Sequence, residues 1–270
     1  MRLREDRPDE VEEAVRVVLE LEQPVDGPAG EGDPLETLRI FFKYRRRLLG
    51  ELSRAAVKAL TVYFEALAGE PLVPGIIVAV QTFGDRINFY PHLHLLVTEG
   101  GMDRAGVFHR LPRLDDSRLA EIFAREVLRL LVGKGLLSPE WAERILSWRH
   151  TGFNVHSRVR ARTKTEAERI GKYMVRPILA LDRLSFLERE GRIGYRHGDD
   201  GTELERMDYL KLIARVTSHI PDKGQVMVRY YGLYASAQIY PSSGVDVRRG
   251  KAASGICPRS SRPDGGRGER

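Results

Sequence analysis

The chain has 270 residues, 42% apolar and 30% charged, which is enough to bury one substantial hydrophobic core. It shows no run of about 18 apolar residues and no basic-then-apolar leader, so we expect no membrane span, no secretory signal and a cytoplasmic location. A single cysteine excludes disulfide frameworks and Cys-based metal sites, while a net charge of +6, concentrated after residue 36, suits a polyanionic partner without requiring one.

The first 34 residues are predicted to form an acidic flexible appendage. Residues 1–36 hold four basic and twelve acidic side chains. Val11 to Leu21 has a moderately helical pattern, and the proline- and glycine-rich residues 23–34 are too polar to join a core. From Leu35 to about Ala68 the apolar residues recur every three, four or seven positions, which predicts one long amphipathic helix.

A β-hairpin and two helices are predicted next. Residues 75–83 and 92–98 are two β-rich runs joined by a short polar segment, so they should pair antiparallel. Ser117–Val132 and Ser138–Trp148 should be helices, each opened by a serine that can cap backbone N–H groups. Residues 152–162 then alternate apolar and basic side chains, as a half-buried strand does.

The last predicted elements begin with a short helix. Thr165 to Glu168 has the pattern of a capping box, and the helix that follows must end before Pro177. Strands are predicted at 192–197 and 225–234, on either side of a helix near 206–218.

These elements predict an α+β domain over residues 35–241. A central antiparallel sheet of four or five strands should be flanked by helices, with the long first helix outside it. Residues 242–270, rich in Gly, Ser and Arg, are predicted to be a disordered basic tail.

The sharpest chemical motif is His92-x-His94 on the second strand of the predicted hairpin. Residues two apart on a strand face the same side, so both imidazoles can bind one divalent metal. Gln81 on the facing strand is a candidate third ligand, and Asp85 is its rival. Such a set suits Mg²⁺ or Mn²⁺ acting on a phosphodiester. The pattern is weakly specific by itself, and the alternative is a pair that only hydrogen-bonds or meets solvent.

A second motif places Arg169 and Arg176 one turn either side of Tyr173 on the short helix. A tyrosine phenol is protonated at neutral pH, so it becomes a useful nucleophile only where cations stabilise the phenolate and the attacked phosphate. Two guanidinium groups and a metal would supply those cations. The alternative is that the ring packs and the arginines are solvated.

Four stretches resemble, in order, successive blocks of the rolling-circle insertion-sequence transposases of the HUH class: residues 81–101, 147–160, 169–184 and 219–236. The resemblance covers about residues 38–236. It implies an RRM/ferredoxin-like HUH nuclease fold, with a divalent metal on His92 and His94. Tyr173 would cleave single-stranded DNA through a 5′-phosphotyrosine intermediate and transfer the strand. Gln81 as third ligand rests on analogy with related HUH nucleases and on the hairpin.

The resemblance also implies the partners. Single-stranded DNA at the transposon ends and at the target would be bound in a bacterial-type cytoplasm, at the nucleoid, and oligomer formation is left open. The basic residues assigned to the DNA path are Arg45, Arg46, Arg47, Arg158, Arg160, Arg162, Lys164 and Lys172. The aromatic residues that could stack on bases are Phe89, Tyr90, Trp148 and Tyr231.

Three departures from the family pattern shape the alternatives. Pro177 stands where many members carry a second catalytic tyrosine, so the chain resembles the single-tyrosine subgroup. Tyr90 replaces a histidine common before the motif, and no cysteine-rich zinc domain precedes the long helix. These features predict a truncated copy, and the alternative function is a non-catalytic DNA-binding remnant.

Two other enzyme classes fit poorly. A histidine-triad nucleotide hydrolase needs a third alternating histidine, whereas the flanking positions hold Tyr90 and Leu96. An amidohydrolase needs an eight-stranded barrel, for which the helix-rich middle of the chain has too few strands.

Overall fold

The computed structural model describes residues 14–21, 34–148, 151–198 and 201–235. The strands are β1 (Ala14–Leu21), β2 (Gly75–Phe83), β3 (Phe89–Thr98), β4 (Gly100–Met102), β5 (Phe108–Arg110), β6 (Phe153–Ala161), β7 (Leu184–Leu187), β8 (Arg192–His197), β9 (Glu203–Met207) and β10 (Val228–Gly232). The helices are α1 (Pro34–Tyr44), α2 (Arg47–Ala68), α3 (Asp116–Gly133), α4 (Pro139–Leu146), α5 (Lys164–Met174) and α6 (Tyr209–Thr217). The predicted tail at 242–270 lies outside these residues.

A five-stranded sheet in the order β10-β2-β3-β1-β6 forms the centre of the protein. Each neighbouring pair in it is antiparallel. The predicted α+β fold with a central antiparallel sheet flanked by helices is therefore confirmed, including the hairpin of β2 and β3. Two smaller antiparallel sheets, β4-β5 and β7-β8-β9, lie outside it.

The two faces of the central sheet bury different partners. On the helix face, alternate residues of β1, β2, β3 and β6 pack with α1, α2, α3 and α4 in the main hydrophobic core. On the site face, a smaller cluster packs α5 against the sheet through Ile170 and Met174, which contact Leu96, Ala79 and Ala161. Because strand residues alternate between faces, the face that carries Leu96 also carries His92 and His94.

The N-terminal prediction is wrong at β1. Ala14–Leu21 is not helical and is not an appendage: it is a buried strand that pairs with β3 on one side and β6 on the other. Val15, Val17 and Leu19 enter the main core, and Arg16 and Glu20 alternate with them. Tertiary pairing outweighs the weak helical periodicity here. Residues 1–13 and 22–33, the rest of the predicted appendage, lie outside the described residues.

The predicted long helix is two helices, since α1 ends at Tyr44 and α2 begins at Arg47. No glycine or proline marks this break. The guanidinium of Arg46 binds the carbonyl oxygens of Ser218 and, at 3.0 Å, Ile220, just beyond α6. The break therefore lies at a tertiary contact that local sequence does not encode.

Two helix caps also differ from expectation. The side chain of Asp115, rather than Ser117, caps α3. Helix α5 is capped by Thr163, which accepts the N–H of Glu166, while Glu166 accepts the N–H of Arg162 at 2.7 Å. This is a variant of the capping box, because Glu166 binds the N–H one residue before the N-cap, and it lies two residues earlier than the predicted box. The cap of α4 by Ser138 is as predicted.

Gly232 is the last residue of the edge strand β10. Its backbone conformation predicts that a substitution there strongly destabilises the protein. It has a φ of 57°, and a Cβ there would overlap the carbonyl oxygen of Pro74. We expect Gly232→Ala to cost roughly 3 kcal/mol or more in unfolding free energy, because backbone strain and a clash with backbone combine. Gly106→Ala is the control: its φ is 85° but nothing lies within 4 Å. It should cost only about 1–2 kcal/mol. Equal losses of unfolding free energy in the two variants, measured by urea denaturation, would contradict the clash expected at Gly232.

Within the described ranges, no helix is long and apolar enough to cross a membrane.

Candidate active site

The two histidines of the motif lie side by side on the site face. Their Nε2 atoms are 3.1 Å apart, and each side chain is 4% exposed. The Nδ1 of His92 hydrogen-bonds the carbonyl oxygen of Tyr90 at 2.9 Å. A carbonyl can only accept, so Nδ1 carries the proton and Nε2 of His92 presents its lone pair to His94.

Burial keeps both imidazoles neutral. It lowers the pKa of His92 to about 4, with the hydrogen bond that Nδ1 donates to the carbonyl oxygen of Tyr90 opposing the shift. It lowers the pKa of His94 to about 3, helped by the nearby charges of Arg16 and Arg176. Neutral imidazole is the form that binds metals.

Gln81 links the histidines to helix α5. It is paired in register with His92, and its amide N–H donates to the carbonyl oxygen of Met174 at 2.7 Å. The amide oxygen of Gln81 is buried and has no hydrogen-bond partner within the described part of the chain. Nδ1 of His94 is likewise buried without one. Unpartnered buried polar atoms are costly, so they indicate a group that this site is built to accept.

These residues fit a divalent cation. Two adjacent imidazole nitrogens and one amide oxygen are donor atoms that divalent cations accept. The backbone carbonyl on His92 Nδ1 fixes the ring as outer-sphere partners do in metal sites.

Tyr173 lies at the C-terminal end of α5 against this cluster. Its ring is perpendicular to the ring of His94, with centroids 6.1 Å apart, and 45% of the residue is exposed. Arg176 follows the helix rather than lying on it, yet its NH1 donates to the Tyr173 hydroxyl at 3.4 Å. The structure therefore brings together His92, His94, Gln81, Tyr173 and Arg176.

Two other predicted residues are elsewhere. Asp85, the rival metal ligand, accepts the N–H of Gly198 and a hydrogen bond from Arg183 at 3.3 Å, so its carboxylate stabilises the β8–β9 region. Arg169 is exposed on α5 and makes no bond to Tyr173 among the described residues.

The predicted basic residues do not form one row. Arg160 is paired in register with Val15 of the main core, so it lies on the helix face, where it ion-pairs with Glu99 at 2.7 Å. Arg46 binds carbonyl groups after α6. The remaining predicted cations are exposed: Arg45, Arg47, Arg158, Arg162, Lys164 and Lys172.

The predicted stacking aromatics are also divided. Tyr231 and Phe89 pack against the main core on the helix face, so neither is placed beside the histidines. Tyr90 is partly exposed, its ring 5.4 Å from that of His92. Trp148 is partly exposed after α4.

Sequence reasoning missed two residues that β1 supplies to the site face. The guanidinium carbon of Arg16 lies 5.0 Å from the ring centroid of Tyr173. Glu20 is paired in register with His92, and its carboxylate lies 3.7 Å from Nε2 of His156 on β6. The signal was present, because Val15, Val17, Leu19 and Leu21 alternate with these polar residues at the period of a strand.

The loop that leads into β3 is held by His219, which is 2% exposed. Its Nε2 donates to the carbonyl oxygen of Ile87 at 3.1 Å, so its Nδ1 accepts from the hydroxyl of Thr82 at 3.0 Å. Ile87 has a φ of 56°, which is strained for a β-branched residue. The histidine thus fixes a strained turn just before the site.

This histidine predicts a pH dependence of stability. Burial lowers the pKa of His219 below its ordinary 6.5. The unfolded chain then binds a proton that the folded chain does not, so stability present above pH 6.5 is lost as the pH falls. Between pH 6.5 and the lowered pKa, urea denaturation should show a pH slope that His219→Gln reduces by up to about 1 kcal/mol per pH unit. An unchanged slope would show that His219 titrates normally in the folded chain.

A second group of potential ligands lies around the β4-β5 hairpin. Side-chain atoms of Glu70, Asp103 and His109 lie within 4.8 Å of one another. Asp103 is already bonded by His109 at 2.7 Å and by the N–H of Val107 at 2.8 Å, and these bonds hold the pKa of Asp103 below its usual value. This cluster stabilises the turn, and we assign it no part in the site.

Residues 75–240 match the sequence model of the Y2_Tnp family, described as "Putative transposase". The protein named "Transposase for insertion sequence element IS801", from Pseudomonas savastanoi pv. phaseolicola, is 29% identical over 217 residues, which cover 74% of this chain and 52% of that relative. The chain thus spans about half the length of this curated relative. A solved structure, the N-terminal origin-recognition/nickase domain of non-structural protein 1 from human bocavirus, aligns with 15% identity and a TM-score of 0.34, over 59% of this chain and 73% of that chain.

Proposed function

The chain belongs to the Y2_Tnp transposase family, and from this premise we propose that it is an HUH-type DNA transposase that cleaves and rejoins single-stranded DNA. The observation that supports this most is the contact of Tyr173 with His94 on one side and Arg176 on the other. A phenol, two neutral imidazoles and a guanidinium in one place suit phosphoryl transfer.

The proposed reaction conserves the phosphodiester. The Tyr173 hydroxyl oxygen attacks a backbone phosphorus, so that the O–P bond to tyrosine forms while the bond from phosphorus to the 3′ oxygen breaks. The phenol proton passes to solvent, and the leaving 3′ oxygen takes up a proton. Attack by a 3′-OH on the 5′-phosphotyrosine reverses these steps, and no water or ATP is consumed.

Each residue has a defined role in this proposal. Arg176 stabilises the phenolate through the hydrogen bond it already makes to the hydroxyl. His92, His94 and Gln81 would hold Mg²⁺ or Mn²⁺, which would supply Lewis-acid polarisation of the scissile phosphate. The hydrogen bond from Gln81 to Met174 keeps the end of α5, and with it Tyr173, beside the histidines.

The proposed DNA contacts are those of the exposed cations. Arg169 and Lys172 on α5 lie nearest to Tyr173 in sequence, and Lys164 and Arg162 flank the start of the same helix. Neutralising backbone phosphates releases counterions, which favours binding independently of base sequence. We also propose that the protein acts at the nucleoid in the cytoplasm. Its substrates there are the single-stranded DNA of the transposon ends and of the target.

A labelling experiment tests both the reaction and its polarity. A random pool of single-stranded 40-mers is incubated with the chain and Mn²⁺, labelled at the 3′ end in one sample and at the 5′ end in another. A 5′-phosphotyrosine retains only the 3′ label on the protein in a denaturing gel. Retention of only the 5′ label would overturn the polarity, and DNA binding without either adduct would make the chain a non-catalytic DNA-binding protein.

A further inference from the structure

We propose that Arg16 of β1 contacts the phosphate attacked by Tyr173, so that the N-terminal strand completes the active site. This inference rests on the proposed function but names a residue that the family comparison does not cover, since the matched residues begin at 75.

The first support is placement. In β1, Arg16 pairs in register with Leu96 of β3 and with Val159 of β6. Leu96 belongs to the cluster that packs α5, so Arg16 lies on the site face beneath that helix. Its guanidinium carbon is 5.0 Å from the Tyr173 ring centroid, and that of Arg176 is 5.4 Å from the same centroid.

The second support is that the positive charge of Arg16 has no ion-pair partner among the described residues. The Nε of Arg16 is buried without a hydrogen-bond partner, and no described carboxylate forms an ion pair with Arg16. Arg160 on the neighbouring strand, by contrast, is paired with Glu99. A partly buried guanidinium costs free energy unless an anion accompanies it.

The one acidic residue of β1, Glu20, is opposite His92, and its carboxylate lies 3.7 Å from Nε2 of His156 on β6. Gln81, which links the histidines to α5, is an uncharged amide. Arg16 and Arg176 therefore leave a positive field at Tyr173, and a bound divalent cation would increase it. The chemistry that satisfies such a field is a phosphate, whose non-bridging oxygens match the planar, five-donor guanidinium fork.

Binding tests the contact without cleavage. In a Tyr173→Phe background with EDTA, fluorescence anisotropy measures the affinity for a random single-stranded 20-mer across a salt series. Arg16→Gln should weaken binding roughly tenfold and reduce the salt slope by about 0.7, the loss of one phosphate contact. The matched control is Arg125→Gln, which removes the same charge from an exposed site on α3, on the helix face.

A rate measurement forms the second arm. With Tyr173 intact, Arg16→Gln should slow adduct formation at saturating DNA by roughly 100-fold, as loss of a transition-state donor does. Arg16→Lys should keep the salt slope but recover only part of the rate, because an ammonium lacks the fork geometry. This variant also carries the test if Arg16→Gln melts at a much lower temperature than the parent.

The outcomes are separable. If the parent forms an adduct and Arg16→Gln matches it in both rate and affinity, the Arg16 contact is wrong and the transposase chemistry stands. If the parent forms no adduct but Arg16→Gln weakens binding more than Arg125→Gln, the phosphate contact stands and the chemistry fails. Equal effects of Arg16→Gln and Arg125→Gln on affinity, with no adduct in the parent, overturn both.

Discussion

Tyr173→Phe should abolish the covalent protein–DNA adduct while leaving DNA binding almost unchanged. The substitution removes one oxygen atom, and the ring that contacts His94 and Arg16 stays. Loss of a nucleophile reduces turnover by many orders of magnitude, so we expect a fall of at least about 10⁴-fold. Gel retention of the 3′-labelled DNA measures the adduct, and anisotropy measures binding.

The control for this prediction is Tyr209→Phe, which changes a tyrosine of similar exposure on α6 and should leave the adduct intact. An adduct that persists in Tyr173→Phe would contradict the assignment. Peptide mapping would then test Tyr90, whose ring lies 5.4 Å from that of His92, and Tyr195 as alternative nucleophiles. Tyr195 is a poor candidate because it is 4% exposed and burial raises its pKa.

His94→Ala should remove metal binding and metal-dependent cleavage together. Nε2 of His94 lies 3.1 Å from that of His92, so the substitution removes half of the imidazole pair. Outer-sphere partners of metal ligands already contribute 10–100-fold to affinity, so loss of a direct ligand should weaken Mn²⁺ binding at least about 100-fold. Isothermal titration calorimetry measures the affinity, and the labelled pool measures cleavage.

Gln81→Ala tests whether the amide contributes to Mn²⁺ affinity, and by how much less than a histidine. If its amide oxygen is the third ligand, Mn²⁺ binding should weaken by less than in His94→Ala but clearly more than in His109→Gln, whose histidine belongs to the β4-β5 hairpin. Unchanged Mn²⁺ affinity in His94→Ala would refute the site, and an unchanged affinity in Gln81→Ala would remove Gln81 from the ligand set.

The hairpin and its His-x-His motif could be predicted because the pattern that specifies them lies within a few neighbouring residues. In β3, leucines alternate with His92 and His94 at the two-residue period of a strand, and a short polar segment precedes it. Both the pairing of the strands and the shared orientation of the imidazoles follow from that pattern. The register of Gln81 opposite His92 does not follow from the pattern, because an irregularity between Gln81 and Phe83 shifts the pairing.

The strand β1 could not be predicted with the same procedure, because two patterns compete in its sequence. Val11, Val15 and Val18 have helical spacing, while Val15, Val17, Leu19 and Leu21 have strand spacing. The composition of this region favours leaving the segment out of the core, because acidic residues surround it. The segment forms a strand because it fits between β3 and β6 and pairs with both. That place is a property of the whole sheet.

The use of charged residues is equally hidden from a linear reading. Arg46 and Arg160 look like their neighbours in sequence, but one binds carbonyl groups beyond α6 and the other pairs with Glu99. Arg16 lies in an acidic segment and is nevertheless the cation nearest the Tyr173 ring. Whether an arginine is available to a ligand depends on residues distant in sequence, so only the three-dimensional arrangement separates these cases.

The central position of β1 has a consequence for folding. The strand is synthesised first, yet one of its partners, β6, starts about 130 residues after Leu21, which gives this pairing a high contact order. At typical synthesis rates of about 5–20 residues per second, the edge that pairs with β3 waits roughly 4–15 s and the edge that pairs with β6 about twice as long. Val15, Val17 and Leu19 would then form an exposed aggregation-prone row. The excess of acidic residues in positions 1–36 provides charge repulsion between nascent chains during that interval.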